Sequence, residues 1–159
     1  MKTIEVFTDG SSIGQNTKSD ENRLCGYGIY FPNKELPDIS RKFRHPPNTN
    51  QRTELYSIYV ALVMIKKTLE FDQIKIYTDS MYSIKCLTVW GKSWDKNDWK
   101  TATNKPVKNQ DILKPLYDIV KKLKDKIEFE HVNSHTGKKD YKSIGNEIAD
   151  KLATSGAKK

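Results

Sequence analysis

An α/β domain, with a mixed sheet covered by helices, is the fold class this sequence predicts. Three strand-like segments come first, a long amphipathic helix follows, and after it strands and helices alternate. At 159 residues the chain has the length of one compact domain, 1–159, long enough to bury a real core and too short for two comfortable ones.

The elements follow in order. Residues 2–9 (KTIEVFTD), 24–31 (LCGYGIYF) and 39–44 (ISRKFR) are rich in β-branched and aromatic residues, and 14–22 and 32–37 are polar connections, which predicts a three-stranded meander. From Asn50 to Glu70 the apolar residues Leu55, Ile58, Ala61, Leu62, Ile65 and Leu69 recur at helical spacing. A fourth strand is predicted over 73–79 and a short helix from Ser80 to about Trp90. A Trp- and Lys-rich segment runs to Lys108, followed by a helix over about 110–124, a strand over 126–132 and a last helix over about 144–155.

Charge narrows the function classes. Lysine and arginine total 28 against 20 acidic residues, a formal net charge of +8 and a pI near 9.3, which favours a polyanionic partner such as nucleic acid or an anionic membrane. The membrane reading is weak, because no apolar run approaches the ~20 residues of a spanning helix and the N-terminus lacks the hydrophobic stretch of a signal peptide. A soluble monomer in the cytoplasm is expected, with nuclear entry left open. Cys25 and Cys86 sit in apolar surroundings without CxxC spacing, so buried reduced thiols are expected rather than a disulfide or zinc site.

Two strands end alike. Ile4-Glu5-Val6-Phe7-Thr8-Asp9 matches Ile74-Lys75-Ile76-Tyr77-Thr78-Asp79 in residue type at almost every position. If these strands are parallel neighbours in register, the period of 2 puts Asp9 and Asp79 on one face at the carboxyl ends, the edge where open α/β sheets build sites. Singly, Asp9-Gly10 also reads as a turn and Asp79-Ser80 as a helix N-cap; the pairing of the patterns favours a joint site. Glu54 falls on the stripe of Ile58, Ala61 and Ile65, so an acid occupies the core-facing side of the long helix. A buried carboxylate there needs a cation or donors, a capping or ion-paired glutamate being the plainer alternative. Asp150 borders the apolar arc of the last helix and, taken alone, reads as part of a solvated face.

Convergence of these four acids would raise their pKa values unless divalent metal neutralised them. An all-oxygen ligand set suits Mg²⁺, with Mn²⁺ as a substitute. Two such ions roughly 3.5–4 Å apart support in-line phosphodiester displacement.

Four segments together resemble the type 1 ribonuclease H family: Phe7-Thr8-Asp9-Gly10-Ser11, Thr49-Asn50-Gln51-Arg52-Thr53-Glu54-Leu55, Tyr77-Thr78-Asp79-Ser80-Met81-Tyr82, and His131-Val132-Asn133-Ser134-His135-Thr136-Gly137 leading to Gly145-Asn146-Glu147-Ile148-Ala149-Asp150. Each motif is weak to moderate alone, and their order and spacing over nearly the whole chain are highly specific. The resemblance implies a ribonuclease H-like fold, a five-stranded mixed sheet of order 3-2-1-4-5 with helices on both faces. It implies a metal site of Asp9, Glu54, Asp79 and Asp150 holding two Mg²⁺ ions, and endonucleolytic cleavage of the RNA strand of an RNA/DNA hybrid to 3′-hydroxyl and 5′-phosphate ends. His135 matches the family's mobile-loop histidine, suited by its titration range to proton movement or product and metal release. His45 and His131 match no catalytic position and are read as structural.

The resemblance also implies substrate contacts. Asn50 and Gln51 match residues that read the minor groove, where the 2′-hydroxyls lie, although Asn50 also sits where an N-cap belongs. The segment Trp90 to Lys108 carries three tryptophans and five lysines against two aspartates, and resembles the basic protrusion of bacterial and eukaryotic type 1 enzymes. There Tyr82 and Trp94 match residues lining the DNA-strand channel, Asn109 matches one that holds a DNA phosphate with Thr49, and Lys96 and Lys100 are candidate phosphate contacts. Trp90 and Trp99 match family tryptophans for which core packing is as good a reading. Two departures stand out: His45-Pro46-Pro47-Asn48 replaces a basic residue that some members carry before the threonine, and the loop 136–144 (TGKKDYKSI) is longer and more basic than the commonest form. Neither touches the four acids. With no separate hybrid-binding module seen, tethered processivity is not expected. The alternatives are a nuclease of the same superfamily acting on DNA and a hybrid-binding protein without catalysis.

Overall fold

The structure, a computed structural model, describes residues 1–13 and 23–159; the connection expected over 14–22 lies outside the described residues. Five strands, β1 (Thr3–Ile13), β2 (Leu24–Tyr30), β3 (Ile39–Lys42), β4 (Gln73–Thr78) and β5 (Ile127–His131), form one sheet of order β3-β2-β1-β4-β5. The β1–β2 and β2–β3 pairs are antiparallel, and β1–β4 and β4–β5 are parallel. The mixed sheet of order 3-2-1-4-5 is therefore as expected.

The helices are α1 (Asn50–Thr68), α2 (Met81–Lys85), α3 (Gly91–Lys96), α4 (Gln110–Leu123) and α5 (Tyr141–Ala157). Strand alternation sorts the sheet into two faces. Ile4 and Val6 of β1 and Ile74 and Ile76 of β4 join Ile58, Ala61, Leu62 and Ile65 of α1 and Leu113 and Leu116 of α4 in the larger core. Phe7 and Tyr77, on the opposite side of the same strands, pack with Ala149 of α5, their rings stacked at 4.4 Å. Close approach of α5 depends on glycine in β2, since a Cβ on Gly28 would lie 2.4 Å from the Ala149 carbonyl oxygen.

Three boundaries differ from the sequence expectation by three residues or more. Strand β1 runs on to Ile13 because β2 continues to pair with it as far as Ile13↔Leu24. Helix α5 begins at Tyr141 rather than Ile144: the Tyr141 ring meets Phe7 edge-on at 5.6 Å and its hydroxyl donates to Glu5 Oε2 at 3.0 Å, so tertiary contacts hold an extra turn. The helix that starts at Ser80 does not stop at Trp90 but passes through a π-helical turn (Cys86–Trp90) into α3. There the Gly91 N–H reaches the Cys86 carbonyl five residues back. Beyond α3 the chain makes a tight loop closed by Val107 N–H to the Trp99 carbonyl at 3.0 Å.

Cys25 and Cys86 are buried and no disulfide joins them. No described helix is long and apolar enough to cross a membrane.

Candidate metal centre

Parallel pairing of β1 with β4 ends at Phe7↔Tyr77. Asp9 and Asp79 each lie two residues past that last rung, on the same side of their strands as the stacked rings. The in-register reading holds, with one correction. Asp79 follows the end of β4, whereas Asp9 is inside β1, because only the β1–β4 ladder stops while β1 goes on pairing with β2. The opening between the two strands is where the carboxylates meet.

Glu54 enters from the other face of the sheet. It stands in the second turn of α1 on the stripe of Ile58, Ala61 and Ile65, all fully buried, and is itself 4 % exposed. It reaches the edge because Gly10 has no side chain: a Cβ there would lie 2.3 Å from Thr53 Oγ1 and 2.8 Å from the Glu54 nitrogen. The Gly10 N–H instead donates to Glu54 Oε1 at 3.0 Å. Carboxylate oxygens of Asp9, Glu54 and Asp79 all lie within 4.8 Å of one another.

Asp150 of α5 lines the same cleft of about 300 Å³, together with Ser11, Ser12, Asn50, Ser134 and His135, and adds to the upward push on the Asp9 carboxyl. It stands outside the tight triad.

Electrostatics make the triad unstable as three bare anions. Burial, then the charges of Glu54 and Asp79, push the Asp9 carboxyl far above the usual carboxylate range. Burial and then the Asp79 charge push Glu54 up as well, although hydrogen bonds from Asp9 and Gly10 oppose this. Glu54 Oε2 is buried without a hydrogen-bond partner among the described residues. Three clustered carboxylates with an orphaned oxygen and no nitrogen or sulfur donor fit a hard divalent cation.

Two further residues support the site. Asn146, 4 % exposed on α5, donates from Nδ2 to Asp79 Oδ2 at 3.3 Å. The sequence reading omitted it; the available signal was its position four residues before Asp150, on the same helical face. His131, read as structural, donates from Nε2 to the Asp79 carbonyl at 3.2 Å and so tethers the backbone of that ligand. His135 is exposed on the loop before α5, in the left-handed region at φ 52°, on the rim shared by this cleft and the next.

Around the site, the N-cap of α1 is Thr49, whose side chain accepts from Arg52 N–H at 3.3 Å. Asn50 is the first helical residue and lines the cleft, which corrects the N-cap reading of Asn50. Gln51 is exposed beside it. Arg52 is 3 % exposed and donates bidentately to Asp111 at 2.7 Å, to Asn109 Oδ1 at 3.5 Å and to the His45 carbonyl. Asn109 in turn donates to Tyr82 Oη at 3.1 Å, so Thr49, Tyr82 and Asn109 sit in one connected network.

Trp99 is 5 % exposed and belongs to the core. Trp90 is 39 % exposed, so core packing describes Trp99 and not Trp90. Trp94 stands between them at ring distances of 5.9 and 6.3 Å. Lys96 and Lys100 project into solvent on either side of Trp99 in sequence.

Comparison with known proteins gives consistent results. A family profile described as RNase H matches residues 1–158. The chain is 41 % identical over 136 residues to a probable ribonuclease H of Acanthamoeba polyphaga mimivirus, covering 84 % of this chain and 58 % of that one. It is 37 % identical over 158 residues to the ribonuclease H of Actinobacillus pleuropneumoniae serotype 5b, covering 99 % and 92 %. Among solved structures, the RNase H domain of PFV superposes with a TM-score of 0.77 at 26 % identity, covering 98 % of this chain and 94 % of that one.

Proposed function

The chain belongs to the ribonuclease H family, and on that premise we propose that it is one catalytic domain that cuts the RNA strand of RNA/DNA hybrids through metal held by Asp9, Glu54 and Asp79, with Asp150 completing the ligand set. The observation that carries this reading is the meeting of three carboxylates within 4.8 Å at the end of the β1–β4 ladder.

Two Mg²⁺ ions held by these carboxylates, or Mn²⁺ in their place, would supply Lewis acidity for displacement at phosphorus. The chain's own residues do the remaining work. The Gly10 N–H fixes the rotamer of Glu54, and Asn146 and His131 fix the side chain and backbone of Asp79. His135, exposed on a loop at the cleft rim, moves a proton between the reacting centre and solvent, a role an imidazole can fill as donor or acceptor. Water oxygen bonds to phosphorus, the bond from phosphorus to the 3′ oxygen breaks, and the products carry 5′-phosphate and 3′-hydroxyl ends.

Recognition divides between two strands. Asn50 at the cleft and Gln51 beside it read the minor groove, where an RNA strand shows 2′-hydroxyls and a DNA strand does not. Thr49 and Asn109, joined through the Arg52 network, hold a DNA phosphate, and Tyr82 with Trp94 lines the path of that strand. Lys96 and Lys100 add phosphate contacts that carry affinity rather than sequence preference. The protein works as a monomer in the cytoplasm.

The test is a gel assay with Mg²⁺ on end-labelled RNA/DNA hybrid, RNA duplex, DNA duplex and single-stranded RNA, with EDTA and Asp79→Asn controls. Internal cuts in the hybrid's RNA strand, lost with either control, support the reading. Cutting of DNA, or hybrid binding without cutting, refutes it.

A further inference from the structure

Connected to the Asn109 network through Arg52 is a second pocket of about 280 Å³ lined by His45, Tyr56, Tyr59, Asp111, Ile112 and Pro115. We propose that this pocket receives an unpaired base of the DNA strand, so that the protein engages the single-stranded DNA flanking a hybrid as well as the hybrid itself. The inference rests on the reading of Thr49 and Asn109 as DNA-phosphate contacts and extends that track by one step.

Continuity is the first argument. Arg52 donates through Nη1 to Asn109 and Asp111 and through Nη2 to Asp111 and the His45 carbonyl. One buried guanidinium thus joins Asn109 to two residues of the pocket, His45 and Asp111. His45 lies four residues before Thr49, and its carbonyl shares the Arg52 guanidinium with Asn109.

Chemistry of the lining is the second. The His45 and Tyr56 rings lie 4.6 Å apart at 44°, and Tyr56 and Tyr59 5.9 Å apart at 32°. Exposed His45 and half-buried Tyr56 and Tyr59 therefore line an open pocket rather than a closed core. Aromatic platforms of this kind stack any base, because every base has a π face. The acid in the lining does not repel a polyanion, since both Asp111 oxygens are taken by Arg52. Arg41 and Arg44 are both exposed, which puts two cations within four residues of His45. A base inside a duplex is already stacked and cannot enter, which restricts the occupant to an unpaired nucleotide.

The experiment compares affinities of the Asp79→Asn protein for a blunt hybrid and for the same hybrid carrying a short extension of the DNA strand or of the RNA strand, at each end in turn. One DNA extension should tighten binding roughly tenfold, the scale of a single stacked base. A fluorescent adenine analogue placed in that extension should be quenched on binding. Both effects should vanish with His45→Ala, which keeps the carbonyl that Arg52 uses, and with Tyr59→Leu, while affinity for the blunt hybrid stays unchanged. Equal affinity for blunt and DNA-extended hybrids, a gain that survives both substitutions, or tightening by an RNA extension instead would overturn the proposal. Failure of the proposed function itself reads out separately, as absence of blunt-hybrid cleavage by the unsubstituted protein.

Discussion

The Gly10 N–H holds one oxygen of Glu54 at 3.0 Å while the other oxygen of the same carboxylate is buried without a hydrogen-bond partner among the described residues. Strand β1 therefore aims a ligand that belongs to α1, and can do so only because residue 10 lacks a Cβ. Gly10→Ala would drive a methyl group into Thr53 and the α1 backbone. It should cost about 1–3 kcal/mol of stability, as overpacking does, and reduce hybrid cleavage by at least roughly tenfold, since displacement of about 1 Å can cost 10²-fold. Thermal melting and the cleavage assay check the two effects; wild-type activity in a folded Gly10→Ala protein would contradict the role given to this contact.

Metal-free protein should pay for the carboxylate cluster in a pH-dependent way. Asp9 and Glu54 have folded-state pKa values raised above the ordinary 3.8 and 4.5 by burial and mutual repulsion. Groups of this sign bind protons more tightly when folded. Their contribution to stability is complete below the ordinary values and is lost as pH rises past them through neutrality. Glu54→Gln removes one charge from the cluster, so in EDTA it should melt higher than wild type by roughly 2–4 °C or more near pH 8, with the gap closing toward pH 4. Excess Mg²⁺ should raise the wild-type melting temperature more at pH 8 than at pH 5, because protons compete for the ligands. A Glu54→Gln protein that melts like wild type at every pH would mean the cluster carries no such repulsion.

The parts of the site that rest on periodic patterns were legible before the structure. The matched segments ending at Asp9 and Asp79 encode a register, and the helical wheel of α1 places Glu54 on its buried stripe. Contacts between residues far apart in sequence were not legible. Asn146 reads as a helix residue until α5 is laid on the sheet beside Asp79. The extra turn of α5 depends on Glu5, 136 positions away, and no local propensity encodes it. The π-helical turn was missed for a different reason, since one inserted residue leaves an apolar pattern that still reads as an ordinary helix.

Asn146→Ala should behave as a loss of positioning. The amide donates to Asp79 Oδ2 from a buried place on α5, and removing such supporting contacts to metal ligands typically costs 10–100-fold in activity or metal affinity. Mg²⁺ titration of cleavage should show a higher metal requirement, partly overcome at high Mg²⁺, with hybrid affinity little changed. An unchanged metal titration would reduce Asn146 to a packing residue.

Trp94 and Trp99, five positions apart with rings 6.3 Å from each other, should separate binding from stability. Trp99 is 5 % exposed, meets Tyr117 edge-on at 5.9 Å, and its carbonyl closes the loop through Val107. Its replacement by Ala empties a core position and should cost about 3–5 kcal/mol. Trp94 is only half-buried, with Lys96 exposed two residues on, so Trp94→Ala forfeits less packing and instead removes an aromatic surface from the proposed DNA path. That change should weaken hybrid binding about tenfold while the melting temperature falls less than for Trp99→Ala. Lys96→Ala and Lys100→Ala, tested beside it, should each lower the slope of log affinity against log salt by about 1, which a packing defect does not do. Unchanged hybrid affinity in a folded Trp94→Ala protein would assign the exposed ring to packing alone and move the DNA path elsewhere on the surface.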